Sequence, residues 1–204
     1  MDGMDAKKAL RKAMKAKLAG MGIVDAAQRS IRAAGHFRAL PSYAMADIVL
    51  AFLSMPGEIG TEALVEAALA DGKVVAVPRM ERTPEGGDYI VFVPLPRDYR
   101  SWPLDRYGIP EPPADAPALA PRELGAARVI VATPGLAFDR RGGRLGRGKG
   151  YYDRFLSRAR EAAARYGGSL VACGLCYAVQ MVDEVPTGDG DQRVDLVVTE
   201  NDGA

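Results

Sequence analysis

The stretch with the clearest chemical potential runs from residue 140 to residue 150, where glycines and cations alternate. It holds no acid, and its five cations and five glycines are Arg140, Arg141, Gly142, Gly143, Arg144, Gly146, Arg147, Gly148, Lys149 and Gly150. Glycines let backbone N–H groups turn toward a ligand, and clustered cations attract a highly charged anion. An apolar run at 129–132 precedes the stretch, and a helical pattern opens at Asp153 after it. The order strand, glycine-rich loop, helix therefore predicts a binding loop for a phosphate chain.

Two common nucleotide motifs do not describe this loop. Residues 143–149 match the first seven positions of G-x-x-x-x-G-K-[ST], but Gly150 stands where a hydroxyl would bind magnesium. Gly146, Gly148 and Gly150 give G-x-G-x-G, which is not the dinucleotide fingerprint. A flexible basic surface hairpin is the alternative. Two tyrosines and an aspartate follow directly at 151–153, which favours the phosphate loop.

A polyphosphate site usually binds Mg²⁺ through one or two carboxylates, phosphate oxygens and water. Asp153, directly behind the glycine loop, is the first candidate ligand. Asp189, Asp191 and Asp195 are candidates for the second. An aspartate at a helix start is also a common structural cap, so Asp153 alone leaves both interpretations open.

Length and composition indicate one globular domain over residues 1–204. Hydrophobic residues make up 48% of the chain and charged residues 26%, and a net charge of +1 provides no global field to recruit nucleic acid or acidic membrane. No apolar run approaches the length of a membrane span, and residues 1–18 lack the apolar core of a signal peptide. We therefore predict a cytoplasmic protein.

Cys173 and Cys176 form a C-x-x-C motif within an apolar strand pattern. Zinc would need further ligands, and His36 is the chain's single histidine. A redox motif normally lies at a helix start. Two reduced thiols that fill core positions are the favoured interpretation.

The elements that must position these residues alternate between strand and helix patterns. The predicted strands are 47–54, 73–78, 89–93, 128–133, 169–173 and 194–199, and the predicted helices are 6–18, 25–40, 62–70 and 153–166, with Thr61 as an N-cap. This alternation predicts a Rossmann-like, three-layer α/β/α fold with a mostly parallel central sheet. Ligands bind at the carboxyl ends of such strands, which Glu58 and the 134–153 loop follow. The proline-rich segment 94–121 is either a linker or packs over a site.

Residues 134–139 (Pro-Gly-Leu-Ala-Phe-Asp) and 144–153 (Arg-Leu-Gly-Arg-Gly-Lys-Gly-Tyr-Tyr-Asp) resemble the signature of the 5-formyltetrahydrofolate cyclo-ligase family, also called methenyltetrahydrofolate synthetase. Three weaker segments agree in order and spacing. They are Lys7-x-x-Leu10-Arg11, residues 52–61 and residues 191–200. The resemblance therefore covers almost the whole chain.

The resemblance implies an ATP- and Mg²⁺-dependent ring closure of 5-formyltetrahydrofolate to 5,10-methenyltetrahydrofolate, with release of ADP and phosphate. The formyl oxygen would be phosphorylated by ATP, and N10 of the folate would then attack the formyl carbon. The implied partners are these small molecules, with no nucleic acid or membrane, and the implied protein is a monomer or weak dimer. One alternative is a non-catalytic nucleotide- or RNA-binding relative. Another is an ATP-using ligase or kinase with a non-folate substrate.

The resemblance also implies roles for individual residues. ATP would be bound by Lys7, Lys8, Arg11, Arg144, Leu145, Gly146, Arg147, Gly148, Lys149, Gly150, Tyr151 and Tyr152. The folate would contact Leu53, Glu58 and Tyr107 together with Arg147, Gly148, Lys149, Gly150 and Tyr151. Arg147, Lys149 and Tyr151 would be catalytic, and Asp153 and Asp191 would bind Mg²⁺. Lys149 replaces a glycine that is frequent in bacterial-type members, so it either contacts phosphate or points to solvent.

Overall fold

The computed structural model describes residues 3–202. Its helices are α1 (Gly3–Ala19), α2 (Ile23–Arg38), α3 (Pro41–Met45), α4 (Glu62–Ala70), α5 (Pro121–Ala126) and α6 (Tyr151–Tyr166). Its strands are β1 (Ile48–Leu50), β2 (Val74–Arg82), β3 (Asp88–Pro94), β4 (Arg128–Thr133), β5 (Ala137–Phe138), β6 (Arg144–Leu145), β7 (Ser169–Leu175) and β8 (Leu196–Val198). Two 3₁₀-helices, Tyr99–Ser101 and Ala178–Gln180, lie in the connections.

Six strands form one mixed sheet in the order β3-β2-β1-β4-β7-β8. The pairs β1–β2, β1–β4, β4–β7 and β7–β8 are parallel, and the edge strand β3 is antiparallel to β2. The strand order reverses between β1 and β4, which creates a crevice at their carboxyl ends. Strands β5 and β6 form a separate antiparallel hairpin within the glycine-rich stretch.

The two faces of the sheet bury two separate apolar clusters. Alternate residues of one strand point to opposite faces, so Val49 and Ile130 belong to one cluster while Leu50 and Val131 belong to the other. The first cluster is completed by helices α1 to α4, through Met14, Phe37, Tyr43 and Leu64. The second is completed by α5 and α6, through Leu124, Phe155 and Leu156. The predicted three-layer fold with a mostly parallel sheet is confirmed.

Several predicted element boundaries were wrong. Strand β1 ends at Leu50 rather than residue 54, because residues 51–55 leave the sheet as a loop, of which Ala51 and Phe52 are buried and residues 53–55 half-buried. Helix α6 begins at Tyr151 rather than Asp153, since Gly150 takes a left-handed φ of +68° at the helix start. Thr61 precedes α4, but its hydroxyl donates to the Phe52 carbonyl instead of capping the helix. The short helices α3 and α5 were not predicted at all.

The proline-rich segment 94–121 packs as structured chain rather than as a free linker. Tyr99 is buried in the first apolar cluster. The Asp105 carboxylate accepts N–H bonds from Tyr107 and Ile109, which closes a tight turn. The Tyr107 side chain is 45% exposed.

Both cysteines are free and fully buried, which confirms the interpretation as core thiols. Burial raises the pKa of both thiols, so neither is prepared to act as a thiolate nucleophile. Within residues 3–202, no helix has both the length and the apolar character to cross a membrane.

We predict opposite stability effects for alanine at two glycines. At Gly174, a Cβ would lie 2.5 Å from Cε1 of the buried Phe138 ring, so Gly174→Ala should destabilise the protein by about 1–3 kcal/mol through overpacking. At Gly35, on the exposed side of α2, a Cβ would meet nothing within 4 Å. Gly35→Ala should therefore stabilise by about 0.5–1 kcal/mol through helix propensity. Urea unfolding of both variants measures the change in the free energy of unfolding. A change of the same sign in both variants would contradict the different packing at the two glycines.

Candidate active site

A cavity of about 620 Å³ lies at the carboxyl ends of β1 and β4, where the strand order reverses. Its lining comes from α1, the loop after β1, the β2–β3 pair, the glycine-rich loop, the start of α6 and the C-terminal segment. The lining residues are Met4, Lys7, Arg11, Phe52, Leu53, Met55, Glu58, Pro78, Met80, Ile90, Pro134, Gly135, Arg144, Leu145, Gly146, Arg147, Gly148, Lys149, Gly150, Tyr151, Tyr152, Asp153 and Asp191. The cavity is therefore lined by residues from distant parts of the sequence.

A buried carboxylate, Asp139, anchors the hairpin that carries the glycine-rich loop. One of its oxygens accepts the N–H groups of Arg141 and Gly143 at 2.8 and 2.9 Å. The other accepts the N–H of Val185, in the C-terminal segment, at 2.8 Å. Burial alone would raise the pKa of this carboxyl, but the three backbone donors outweigh burial and lower it. Asp139 therefore stays ionised and ties the loop to the C-terminal segment. This role of Asp139 was not predicted from the sequence.

Helix α1 places two cations one turn apart on the cavity wall. Lys7 forms an ion pair of 2.5 Å with Asp191, whose carboxylate also accepts the N–H of Gly188. Burial alone would raise the pKa of Asp191, but its bonds to Lys7 and Gly188 outweigh burial and lower the pKa. Arg11 donates from Nε to the carbonyl of Gly146 at 3.0 Å. The N-terminal helix is thereby attached to the glycine-rich loop and to the C-terminal segment.

Arg144 is the most buried cation of the cavity, with a side chain that is 3% exposed. Its Nη2 forms an ion pair of 2.6 Å with Asp153, and its Nη1 donates to the carbonyl of Pro134 at 3.3 Å. Asp153 also accepts the N–H of Gln192 at 3.1 Å. Within the described residues 3–202, Arg144 Nε and the Tyr152 hydroxyl are buried without a hydrogen-bond partner. Both of these buried groups can therefore donate a hydrogen bond to a ligand oxygen.

Glu58 occupies the turn that follows β1 and reaches across the cavity to the glycine-rich loop. One carboxylate oxygen accepts from Arg147 at 2.8–2.9 Å. The other accepts the N–H of Met55 at 3.1 Å, which holds the side chain against its own turn. Gly57, with φ of +82°, permits that turn.

One pattern unites these contacts. The three carboxylates of the cavity, Asp153, Asp191 and Glu58, each pair with a cation of the same cavity. Lys149, by contrast, has an exposed side chain with no ion-pair partner within residues 3–202. Arg11 also forms no ion pair within residues 3–202, so the five cations of the cavity outnumber its three carboxylates by two. An anionic ligand would be attracted by this excess and would compete with the carboxylates for the three paired cations.

An apolar wall faces the charged groups. It is formed by Phe52, Leu53, Met55, Pro78, Met80 and Ile90. Sequence reasoning identified only Leu53 of this set. The alternating apolar residues of β2 and β3 were interpreted as ordinary strand positions, and no sequence signal separates a cavity wall from a core.

The structure brings the predicted site residues to the cavity with two exceptions, Lys8 and Tyr107. Lys8 is exposed, because it lies about 100° around α1 from Lys7. Tyr107 lies outside the cavity, with the Arg106 guanidinium 4.8 Å from its ring centroid. Of the three candidates for a second metal carboxylate, only Asp191 lines the cavity.

The carboxylates of Asp153 and Asp191 suit a metal that arrives with a phosphate ligand. Within residues 3–202, Asp153 Oδ2 and Asp191 Oδ1 have no hydrogen-bond partner, so each side chain offers one oxygen. Across the same residues, no group of three or more His, Cys, Asp or Glu side chains could hold a metal alone. Such a sparse oxygen set matches Mg²⁺, which keeps waters and phosphate oxygens in its shell.

Comparison with known proteins gives a consistent result. The sequence model of the 5-formyltetrahydrofolate cyclo-ligase family matches residues 3–200. The mouse 5-formyltetrahydrofolate cyclo-ligase is 28% identical over 98% of this chain and 96% of its own length. A probable 5-formyltetrahydrofolate cyclo-ligase of Schizosaccharomyces pombe is 30% identical over 78% of each chain. The solved 5,10-methenyltetrahydrofolate synthetase of Aquifex aeolicus superposes with a TM-score of 0.71 at 27% identity, covering 96% of this chain and 90% of that one.

We predict that Asp139→Asn lowers the free energy of unfolding at pH 7 by about 3 kcal/mol, because an amide cannot replace a charged acceptor for three N–H groups. The folded-state pKa of Asp139 is lowered, so its stabilising effect is complete above the unfolded pKa of about 3.9 and is lost as pH falls through the folded pKa. Urea unfolding at several pH values should show the wild-type advantage shrinking below about pH 4. The Asp115→Asn variant, at an exposed position, is the control. If the difference in unfolding free energy between wild type and Asp139→Asn did not change with pH, the stabilising role of the ionised Asp139 would be contradicted.

Proposed function

The chain belongs to the 5-formyltetrahydrofolate cyclo-ligase family, and from this we propose that it converts 5-formyltetrahydrofolate and ATP to 5,10-methenyltetrahydrofolate, ADP and phosphate. One observation carries the proposal. A single cavity of about 620 Å³ joins a cationic, glycine-rich end to an apolar wall with its own carboxylate. Such a cavity can hold a polyphosphate and a flat, largely apolar heterocycle side by side.

The glycine-rich end offers donors that suit the triphosphate. Lys7, Arg11 and Arg144 lie around the loop, and Gly148, with φ of +106°, permits a backbone conformation that few other residues adopt. The unpartnered Nε of Arg144 and the hydroxyl of Tyr152 are buried donors that phosphate oxygens would satisfy. Burial and the charge of Glu58 raise the pKa of Tyr152, so its hydroxyl stays protonated and acts as a donor.

Asp153 and Asp191 are the residues that would hold Mg²⁺, each through its unpartnered oxygen. When bound, the ion supplies positive charge that offsets the developing charge on the phosphoryl oxygens. Arg144 and Lys7, released from these carboxylates, would become available for phosphate. In the free protein the ion pairs thus keep the two carboxylates and the two cations oriented before the nucleotide binds.

The apolar wall and Glu58 suit the folate. A carboxylate accepts the N–H groups on the edge of a pterin, and Leu53 and its apolar neighbours would cover the ring faces. Arg147, which pairs with Glu58 in the free protein, lies between the two ends of the cavity. It can therefore contact both the pterin site and the transferred phosphoryl group.

The chemistry follows from holding the two ligands together. A formamide oxygen is a poor leaving group, so its attack on the γ-phosphorus of ATP, with release of ADP, converts it to a phosphate ester. N10 then attacks the activated formyl carbon and releases its proton, the C–O bond breaks and phosphate departs with the bonding electrons. Arg147, Lys149 and Tyr151 would position and neutralise the groups during these steps. A monomeric or weakly dimeric state, a cytoplasmic location and the lack of nucleic-acid or membrane partners stay predictions.

We predict that the purified protein forms the methenyl product, followed by its absorbance, when mixed with 5-formyltetrahydrofolate, ATP and Mg²⁺. Asp153→Asn should reduce turnover about 100-fold by weakening charge neutralisation while folate binding persists. Asp189→Asn, an exposed neighbour of the site, is the matched control and should keep wild-type turnover.

ATP binding without methenyl formation would favour the non-catalytic relative or a ligase with another substrate. Normal turnover by Asp153→Asn would remove this residue from the metal site. Each alternative therefore gives a different pattern in one assay.

We predict that Glu58→Gln weakens folate binding about tenfold, because the pterin loses a charged acceptor, whereas ATP affinity changes little. Isothermal titration of 5-formyltetrahydrofolate and of ATP measures the two effects separately. Glu62→Gln, on the exposed first turn of α4, is the control. Unchanged folate affinity in Glu58→Gln would exclude the proposed pterin contact.

A further inference from the structure

Arg154 stands outside the cavity lining, yet its guanidinium links two parts of the cavity wall. It lies in the first turn of α6, and its side chain is exposed. Its Nη1 donates to the carbonyl of Lys149 at 3.0 Å, and its Nη2 donates to the carbonyl of Asp88 at 2.8 Å. One planar fork therefore connects the glycine-rich loop to the start of β3.

The segment that Arg154 restrains has little stiffness of its own. Lys149 stands between Gly148 and Gly150, whose φ values are +106° and +68°. These two flanking glycines have positive φ values, which gives the peptide groups on either side of Lys149 more conformational freedom than ordinary residues would. A hydrogen bond to its carbonyl selects one of them.

The guanidinium of Arg154 also contacts Tyr151, the first residue of α6. The Arg154 Cζ lies 5.4 Å from the centroid of the Tyr151 ring, and the Tyr151 hydroxyl is 3.5 Å from a carboxylate oxygen of Asp88. Asp88 in turn accepts from Arg82 at 3.2 Å. Gly150 suits this arrangement because its φ of +68° is strained for a residue with a Cβ, and a Cβ there would also lie 3.0 Å from Nη1 of Arg154.

From these contacts we propose that Arg154 is a positioning residue for the Lys149–Tyr151 part of the site. It touches neither proposed ligand and acts by fixing the direction in which the Lys149 and Tyr151 side chains leave the loop. The kinetic consequence rests on the proposed function. The restraint on the loop does not depend on the proposed function, and it can be measured in the free protein.

The free-protein test uses trypsin, because the restrained segment contains a cleavage site after Lys149. Loss of the carbonyl bond in Arg154→Ala should increase the initial rate of cleavage at Lys149–Gly150 about tenfold, measured by mass spectrometry. Arg158→Ala is the matched control. Arg158 lies one turn further along α6 and stacks on Tyr89 at 5.6 Å, away from the loop, so its removal should leave that rate unchanged. An unchanged rate in Arg154→Ala would overturn the proposal.

The kinetic test distinguishes positioning from a general loss of stability. Arg154→Ala should lower kcat about 10- to 100-fold with a much smaller change in the KM for ATP, because misplaced groups slow the reaction more than they weaken binding. Arg158→Ala should keep wild-type kcat, and both variants should unfold at similar temperatures. Arg154→Lys, which can reach one carbonyl only, should fall between wild type and Arg154→Ala.

The two tests also separate this proposal from the proposed function. If wild-type protein forms no methenyl product but Arg154→Ala is cleaved faster, the loop restraint is upheld and the proposed function fails. If the wild type is active and Arg154→Ala retains its kcat, the positioning role is overturned. Full recovery by Arg154→Lys would overturn the requirement for a two-carbonyl fork.

Discussion

The site depends on one buried carboxylate that makes no contact with a proposed ligand. Asp139 uses both oxygens to bind three backbone N–H groups, two in the hairpin turn and one at Val185. Because a buried ion is stable only when its lone pairs are satisfied, the hairpin and the C-terminal segment must keep their relative positions. That constraint holds the hairpin that precedes Asp153 beside the segment that carries Asp191, and the bond from the Gln192 N–H to Asp153 joins the same two parts directly. The rest of the site is therefore built on a fixed frame.

Within this frame each carboxylate of the cavity forms an ion pair with a cation of the same cavity. Each of Lys7, Arg144 and Arg147 faces a carboxylate that suits a different part of the ligands. Removing one member would leave a partly buried charge without compensation, which is costly where Arg144 is only 3% exposed. A metal–nucleotide complex brings both signs together, so it can exchange with both members of a pair at once. The arrangement therefore suits the metal–nucleotide complex that we propose as a ligand.

The sequence allowed the fold class and most of the cavity to be predicted, for physical reasons that also explain the failures. Alternating strand and helix patterns indicate the layers, and the i, i+4 spacing of Lys7 and Arg11 indicates their shared face. The apolar residues after Leu50 gave the wrong strand end, because a buried loop and a buried strand have the same composition. The roles of Asp139 and Arg154 were not predicted, since each joins the loop to a backbone group distant in sequence, the Val185 N–H for Asp139 and the Asp88 carbonyl for Arg154. Tyr107 was placed by resemblance alone, without a local pattern that could fix the direction of its side chain.

Gly150 shows how local backbone geometry limits the chemistry of the loop. Its φ of +68° is strained for any residue with a Cβ, and a Cβ there would approach Arg154 Nη1 to 3.0 Å. A serine or threonine, which the P-loop motif requires at this position, would have to strain the backbone and displace the arginine. A serine or threonine that could offer a hydroxyl to a metal is therefore disfavoured at the junction of the loop with α6. A carboxylate from the first turn of the helix can occupy the equivalent region without disturbing the junction, and Asp153 is the acid that this turn contains.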